Sequence, residues 1–454
     1  MKKNLLLTII IGTVLNAAAQ DAKQLQQYKY RIPKYRAITL QGSNNGYTIN
    51  QTTLPTENGI GGSVYGQYNE IRSTDKMLSN FNILNIASFG NANNTQQIDS
   101  NKVKRGDFDL QIAYNTKLYN TKLQYIELRA ASQYSTNNAT IIKNYIPNSY
   151  KTSDKATTET VKLTLGIGKG RIENVTDMQN ALWLIKELQY DKLLAKTLTE
   201  QEVYGLAQAI TKGRNTRILD FRRNIKYLLK IVDTYLQSIK AIAKNDINYF
   251  TDLNDIVYFA NNSTRNSGYN AYIKFDNQLQ NYKAYNINKY LNNNIESKFK
   301  NEGFQSVITV GYIKEKPINL KEQVSYGANI NIATNKLKLR TQQISNGIIV
   351  SNTANTTKPS RVTINGTIGY AIYPNTRTIA AFDLSANHYQ SKYNGTKENA
   401  TNINVGFKGT YFISYNTLFF VQVRGFYNNS SSSYIINNSN YFSANYNTAV
   451  AINL

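Results

Sequence analysis

An all-β transmembrane barrel of about 14 antiparallel strands, with an inserted α-helical bundle, is the fold class this sequence predicts. Three features predict it: an export signal at the N-terminus, period-2 alternation along most of the chain, and a central stretch where the period becomes helical.

The export signal comes first. Lys2 and Lys3 form a short positive region, Leu5 to Leu15 an apolar one, and Ala17-Ala18-Ala19 a small-residue cleavage site. The mature chain then starts at Gln20. The apolar run is too short to span a bilayer, and polar residues follow it. The chain has no cysteine, which excludes a lipid anchor, a disulfide framework and thiolate metal sites. Lys and Arg number 52 against 28 Asp and Glu, a net charge of +24. In an exported chain that excess suits lipopolysaccharide or other anionic glycans rather than nucleic acid, or it is simply a solvated basic surface. Mean hydropathy is −0.46 and no mature segment reads as a transmembrane helix. Barrel strands escape such averaging, because lipid-facing and lumen-facing residues alternate. The 35 Tyr and 16 Phe suit both a sheet and a membrane–water interface.

Alternation is clearest in the C-terminal third. Residues 361–372 set Val362, Ile364 and Ile368 against Thr363, Asn365 and Thr367, and 377–389, 401–413, 417–427 and 441–454 repeat the pattern. Residues 106–117, 123–134 and 158–168 do the same nearer the N-terminus, and 36–46, 60–71 and 78–90 alternate less cleanly. With 269–279, 304–313 and 323–333 these make an even set with both termini on the periplasmic side, and 269–279 is the joint on which the count depends. Tight connections (Tyr119 to Thr121, Tyr373 to Thr376, Ser414 to Asn416) alternate with long polar ones expected at 91–104, 136–156, 335–360, 391–400 and 429–439. The rival architecture is a soluble β-sandwich, which also alternates but needs no such rhythm.

The helical period occupies 171–245. Thr176 with Gln179 and Thr199 with Glu202 read as capping boxes opening two helices. A third helix is expected from about Arg217 to Lys244. Its apolar seam, Ile218, Phe221, Ile225, Leu228, Val232, Tyr235, Ile239 and Ile242, keeps heptad spacing. The seam forms either the core of a small bundle or a surface for docking a partner helix. The expected organisation is a signal peptide at 1–19, an N-terminal periplasmic segment at 20–35, barrel strands at 36–168, a periplasmic helical insertion at 169–262, and further strands at 263–454.

No motif carries enzymatic chemistry, so no catalytic role, cofactor or metal is expected. Gly166-Ile-Gly168-Lys-Gly170 fits no phosphate-loop spacing and reads as a glycine-relaxed exit from a strand. The one histidine, His388, shares the face of Phe382 and Leu384. Alternation places Asp107, Asp109, Glu127, Arg129, Lys162, Lys274, Asp276, Asp383, Lys408 and Arg424 on the lumen face, as pore lining or as paired charges filling a closed interior.

The run Gly168-Lys-Gly-Arg-Ile-Glu-Asn-Val-Thr-Asp177, with Arg214-Asn-Thr-Arg217 and Asp220-Phe-Arg222, resembles a pattern in outer-membrane β-barrel proteins of the Bacteroidota that have no assigned function. The Ala-Gln end of the signal peptide and the Asn-rich composition fit that group. The expectation is a protein of the cell outer membrane. It would contact outer-membrane lipid and lipopolysaccharide, be inserted by the barrel-assembly machinery, and offer 171–245 to a periplasmic protein. A structural or docking role leads; a porin-like channel for small polar or anionic solutes and a soluble secreted β-protein binding acidic glycans are the alternatives.

Overall fold

The computed structural model describes residues 20–49, 56–95, 99–145, 149–216, 221–259, 264–290, 293–393, 395–414, 417–432 and 439–452. The export signal lies outside them. Sixteen strands form one antiparallel sheet. They are β1 (Ile32–Ile49), β2 (Thr56–Ser73), β3 (Met77–Thr95), β4 (Asp99–Tyr119), β5 (Gln124–Tyr145), β6 (Ser149–Lys169), β7 (Ile172–Asn174) and β8 (Asn266–Tyr290). The rest are β9 (Asn293–Pro317), β10 (Glu322–Ser345), β11 (Ile348–Thr357), β12 (Ser360–Asn375), β13 (Thr378–Tyr393), β14 (Thr396–Phe412), β15 (Thr417–Ser432) and β16 (Ser439–Ile452).

Sheet neighbours follow chain order, with two broken staves. After β6 the short β7 pairs with the first residues of β8. β11 and β12 share one flank of β10, the former on Leu337–Ser345 and the latter on Glu322–Thr334. The break between them falls at Lys358-Pro359, where proline has no N–H for the ladder. Residues 269–279, the joint of the sequence count, lie inside β8, which pairs with β6 over Ala271–Lys289.

Three expectations about the strands need correction. The polar connections expected at 91–104, 136–156 and 335–360 are largely strand: β3 runs to Thr95 and β4 starts at Asp99, β5 runs to Tyr145 and β6 starts at Ser149, and β10 and β11 continue past Ala333 as a hairpin turning at Asn346-Gly347. The stretch 391–400 is likewise strand except about its turn, and 429–432 belongs to β15. Alternation disappears where both faces of a strand meet water, but backbone pairing persists. The sheet is also open: among the described residues no ladder joins β1 to β16. Alternation fixes neighbours and says nothing about closure.

Helices α1 (20–27), α2 (Thr176–Tyr190), α3 (Glu200–Arg214), α4 (Phe221–Ser238) and α5 (Ile247–Phe259) gather at one end of the sheet. They share a core that includes Leu25, Met178, Leu184, Leu206, Leu236 and Leu253. The Thr199–Glu202 box forms in both directions. The expected Thr176–Gln179 box does not: Thr176 is already helical, its N–H is taken by Asn174, and its hydroxyl accepts from the Arg265 N–H. The third helix ends at Ser238 rather than Lys244, because the chain turns left-handed at Lys240 and its N–H groups close back on Leu236 and Gln237. Asp246 then accepts from the N–H groups of Asn248 and Tyr249 and opens α5, a helix the periodicity did not isolate.

The seam is spent on this core. Leu228 and Val232 are buried in it, and Tyr235, Ile239 and Ile242 pack against it. Ile225 is half-buried; Ile218 and the Phe221 side chain lie outside the described residues. Over the described residues the stripe packs into the bundle rather than facing a partner helix. Its width, extended by Leu229 and Leu236, is what a multi-helix core needs.

Candidate functional site

The two faces of the sheet differ sharply. One carries rows of apolar side chains that no protein element covers. Ile126, Ile167, Ile273, Val310, Ile330 and Ile364 stand side by side on six successive staves, each between 47% and 63% exposed. The next row runs Leu128, Leu165, Phe275, Ile308, Ile332 and Val362. On β10 this face is exposed at every second residue from Tyr326 to Arg340. Towards the helical end the rows finish on Tyr269, Tyr312 and Tyr326, whose neighbouring rings lie 6.3 Å apart. From Tyr269 to Leu279 is ten residue steps, or about 33 Å of strand. At the roughly 40° tilt of membrane barrels that gives an apolar band of about 25 Å.

The opposite face is polar. Pairing places all ten candidate lumen charges on it, and the structure sorts them. Glu127 is buried between Lys274 at 3.1 Å and Lys117 at 3.8 Å. Lys162 meets Asp276 at 3.2 Å, and Thr164 donates to the same carboxylate. Asp109 accepts from Gln111 and Gln133, and Asp107 from Ser88. Asp383 folds over Gly406, the residue between it and Arg424 in the row. Arg129, Lys408 and Arg424 are exposed on this face. From β10 onward asparagines are interleaved with these charges. Asn329, Asn365, Asn387, Asn402 and Asn428 form one row, with Asn365 donating to Asn329 at 2.7 Å, Asn387 to Asn365, and Asn428 to Asn402. Side-chain amides both donate and accept, so such a ladder is self-satisfying.

The sequence reading left out Lys117 and Tyr125; Tyr272, which alternation along 269–279 already sets opposite Ile273 and Phe275, shares this polar face with them. Lys117 continues the Asp107, Asp109, Gln111 alternation and parity alone would have found it. Glycines on neighbouring strands account for the two tyrosines. Tyr125 lies over Gly168 and Tyr272 over Gly311, so that a Cβ at either glycine would sit 2.5 Å from a ring. Gly170, at φ +101°, turns the chain out of β6 beneath Tyr269. Among the described residues no group of acidic or histidine side chains could hold a metal. His388 sits on the apolar face, with Nδ1 2.9 Å from the Thr401 hydroxyl.

The helices are fastened to the short turns at their end of the sheet by buried cations. Arg265, fully buried, donates to the carbonyls of Leu320 (2.6 Å), Asn319 and Glu322 (2.7 Å) and to the Gln323 side chain, and stacks on Tyr373. Burial pulls its guanidinium down to about 10. Arg171 donates to the Thr74 carbonyl and Ser73 hydroxyl, pairs with Glu173 at 2.9 Å, and covers Tyr119. Arg31 joins Glu173 and Asp75. Asp255 of α5 pairs with Arg377 in the β12–β13 turn. Inside the bundle, Asp177 accepts from Arg214 and Thr211. The residues that carried the family resemblance therefore include Arg171, Glu173, Asp177 and Arg214, and here they bind helices to sheet and helix to helix.

No protein-family model matches the chain, and no curated protein does. Solved structures give distant likenesses. The translocator domain of the autotransporter NalP from Neisseria meningitidis is 9% identical with a TM-score of 0.26, covering 91% of this chain and 98% of that one. The toluene transporter TodX from Pseudomonas putida is 8% identical with a TM-score of 0.29, covering 88% and 85%. The β domain of the Bordetella autotransporter BrkA is 8% identical with a TM-score of 0.24, covering 91% and 98%. At these scores the likeness decides neither fold nor function, which rest on the chain's own faces.

Proposed function

We propose that this chain is an outer-membrane β-barrel protein whose helical module is held at the periplasmic mouth as a docking component of the cell envelope. The uncovered apolar rows carry the reading. Six large aliphatic side chains abreast, repeated on the next row, far exceed the contiguous apolar surface a water-soluble monomer tolerates. Lipid removes that penalty, and the paired polar groups of the opposite face suit a wet or filled interior. The N-terminal signal supplies the route, and the Arg265, Arg171 and Asp255 contacts fix the module rigidly against the sheet. Any docking surface is the outside of the module, since the seam is internal.

A second reading, a diffusion channel, has one specific observation behind it: the Lys117–Glu127–Lys274 and Lys162–Asp276 groups place fixed charge along the polar face. Fractionation tests the membrane assignment: the protein should sediment with outer membranes and migrate differently on gels before and after heating. Recovery in the culture supernatant would overturn it. Crosslinking of 176–259 to envelope proteins without conductance in planar bilayers supports docking; stable ion-selective steps would replace it with the channel.

A further inference from the structure

Beyond the apolar band, away from the helices, the same outer face becomes strongly basic. Lys283, Lys300 and Arg340 are direct cross-strand neighbours on β8, β9 and β10. In the adjoining row Lys155 and Lys298 flank Tyr285. Like charges directly opposite one another destabilise a sheet, and three in succession are hard to account for without an anion. Carboxylates offset them only partly. Glu302 pairs with Lys300 at 2.5 Å and Glu296 approaches Lys298 at 3.8 Å. Among the described residues no carboxylate lies within ion-pair distance of Lys155, Lys283 or Arg340. These five cations line a groove of about 530 Å³.

The position of the groove matters as much as its charge. A second groove, below it, is walled by Val161, Leu279 and Phe304, the last apolar row, together with Lys336 and Lys338 and the carboxylates of Glu159 and Glu302. From Phe304 to Lys300 is four residues, about 13 Å along the strand and about 10 Å in height once tilted. That is the depth of a lipid headgroup above its acyl chains. Lysine and arginine stems can lie on the apolar edge while their charges reach upward.

The geometry points to a binding site for the phosphorylated headgroup of an outer-leaflet glycolipid, its acyl chains on the apolar rows and its phosphates on Lys283, Lys300 and Arg340. The inference rests on the outer-membrane reading and gives that surface a ligand. Arg340 can take a phosphate through two N–H groups, and the lysines add point charges beside it. A free acidic glycan would use the same cations but would draw nothing from Val161, Leu279 and Phe304.

The test uses the full-length protein folded in detergent micelles, with a diphosphorylated glycolipid and its enzymatically dephosphorylated form as probes. Glycolipid retained through gel filtration is quantified from its hydroxy fatty acids. Wild type should retain the phosphorylated form. The variant Lys283→Gln/Lys300→Gln/Arg340→Gln should retain at least ten-fold less. A control with equal charge loss on the helices, Lys212→Gln/Lys226→Gln/Lys230→Gln, should match wild type. Equal retention by the groove variant, or equal binding of the dephosphorylated lipid, overturns the site. Binding of a soluble acidic polysaccharide as strong as that of the glycolipid overturns the lipid assignment. Heat-modifiable mobility, scored on the same samples, separates the two failures: its absence in wild type sinks the membrane reading, and its presence without retention sinks only this inference.

Discussion

Replacing Ile273 by arginine separates a lipid-facing sheet from a water-facing one. Ile273 is 49% exposed between Ile167 and Val310. It lies four residues from Tyr269 and six from Leu279, near the middle of the apolar band. A cation at the midplane of a barrel wall costs about 2–4 kcal/mol. In water the same exchange at a half-exposed strand position costs about 0.5 kcal/mol or less, because arginine hydrates as well as it did unfolded. The expected loss is thus roughly 30-fold to 800-fold in the folding equilibrium, at about 1.4 kcal/mol for each factor of ten. Gln280→Arg, on the polar face of the same strand between Thr160 and Gly303, is the internal control and should stay within about 0.5 kcal/mol. Reversible denaturant titration in phosphocholine bilayers measures both. An Ile273→Arg variant as stable as Gln280→Arg would refute the assignment of this face to lipid.

Other outcomes follow from the helical end. Arg265→Met should loosen the module by on the order of 3 kcal/mol, because it strands three carbonyls and the Gln323 side chain; limited proteolysis should then cut between 176 and 259 while the sheet stays protected. Thr199→Ala removes one half of the cap on α3 and should lower helical stability by about 1 kcal/mol, read by thermal melts. Burial, then the neighbouring Asp191, Glu187, Asp255 and Asp246, push the Asp252 carboxyl up to about 6. Between about pH 4 and that value the folded chain holds a proton the unfolded chain has released, so module stability falls as pH rises through the window. Asp252→Asn should therefore stabilise the module by about 1 kcal/mol at neutral pH, after allowance for partial exposure, and leave its melting near pH 4 unchanged.

The sheet was legible in the sequence where one face is apolar and the other polar. Val362, Ile364 and Ile368 against Thr363, Asn365 and Thr367 leave one register, since a one-residue slip would exchange the faces. Beyond the band the signal fails, as in Lys283-Ala284-Tyr285-Asn286, where pairing comes from the backbone and both faces are polar. The basic groove was hidden for the same reason: its cations come from three separate stretches, Lys155 and Arg340 in segments expected to be connections and Lys283, Lys298 and Lys300 beyond the ends of the expected strands 269–279 and 304–313. The helical seam was visible at once, but whether it faced a partner or its own bundle depended on α5 and α1, whose short apolar faces carry little periodicity. The buried arginines were present in the motif at 168–177 and at Arg265, yet their carbonyl partners in the turns carry no sequence signature.

The chain contains no cysteine, so single cysteines can be placed at will. Ile330→Cys and Asn331→Cys, adjacent residues on opposite faces of β10, can each carry an environment-sensitive fluorophore in protein folded into bilayers whose acyl chains are brominated. The label at 330 should emit at shorter wavelength and be quenched by the lipid, and the label at 331 should not. Equal quenching at both positions, or none at 330, would contradict a sheet with one face in the membrane.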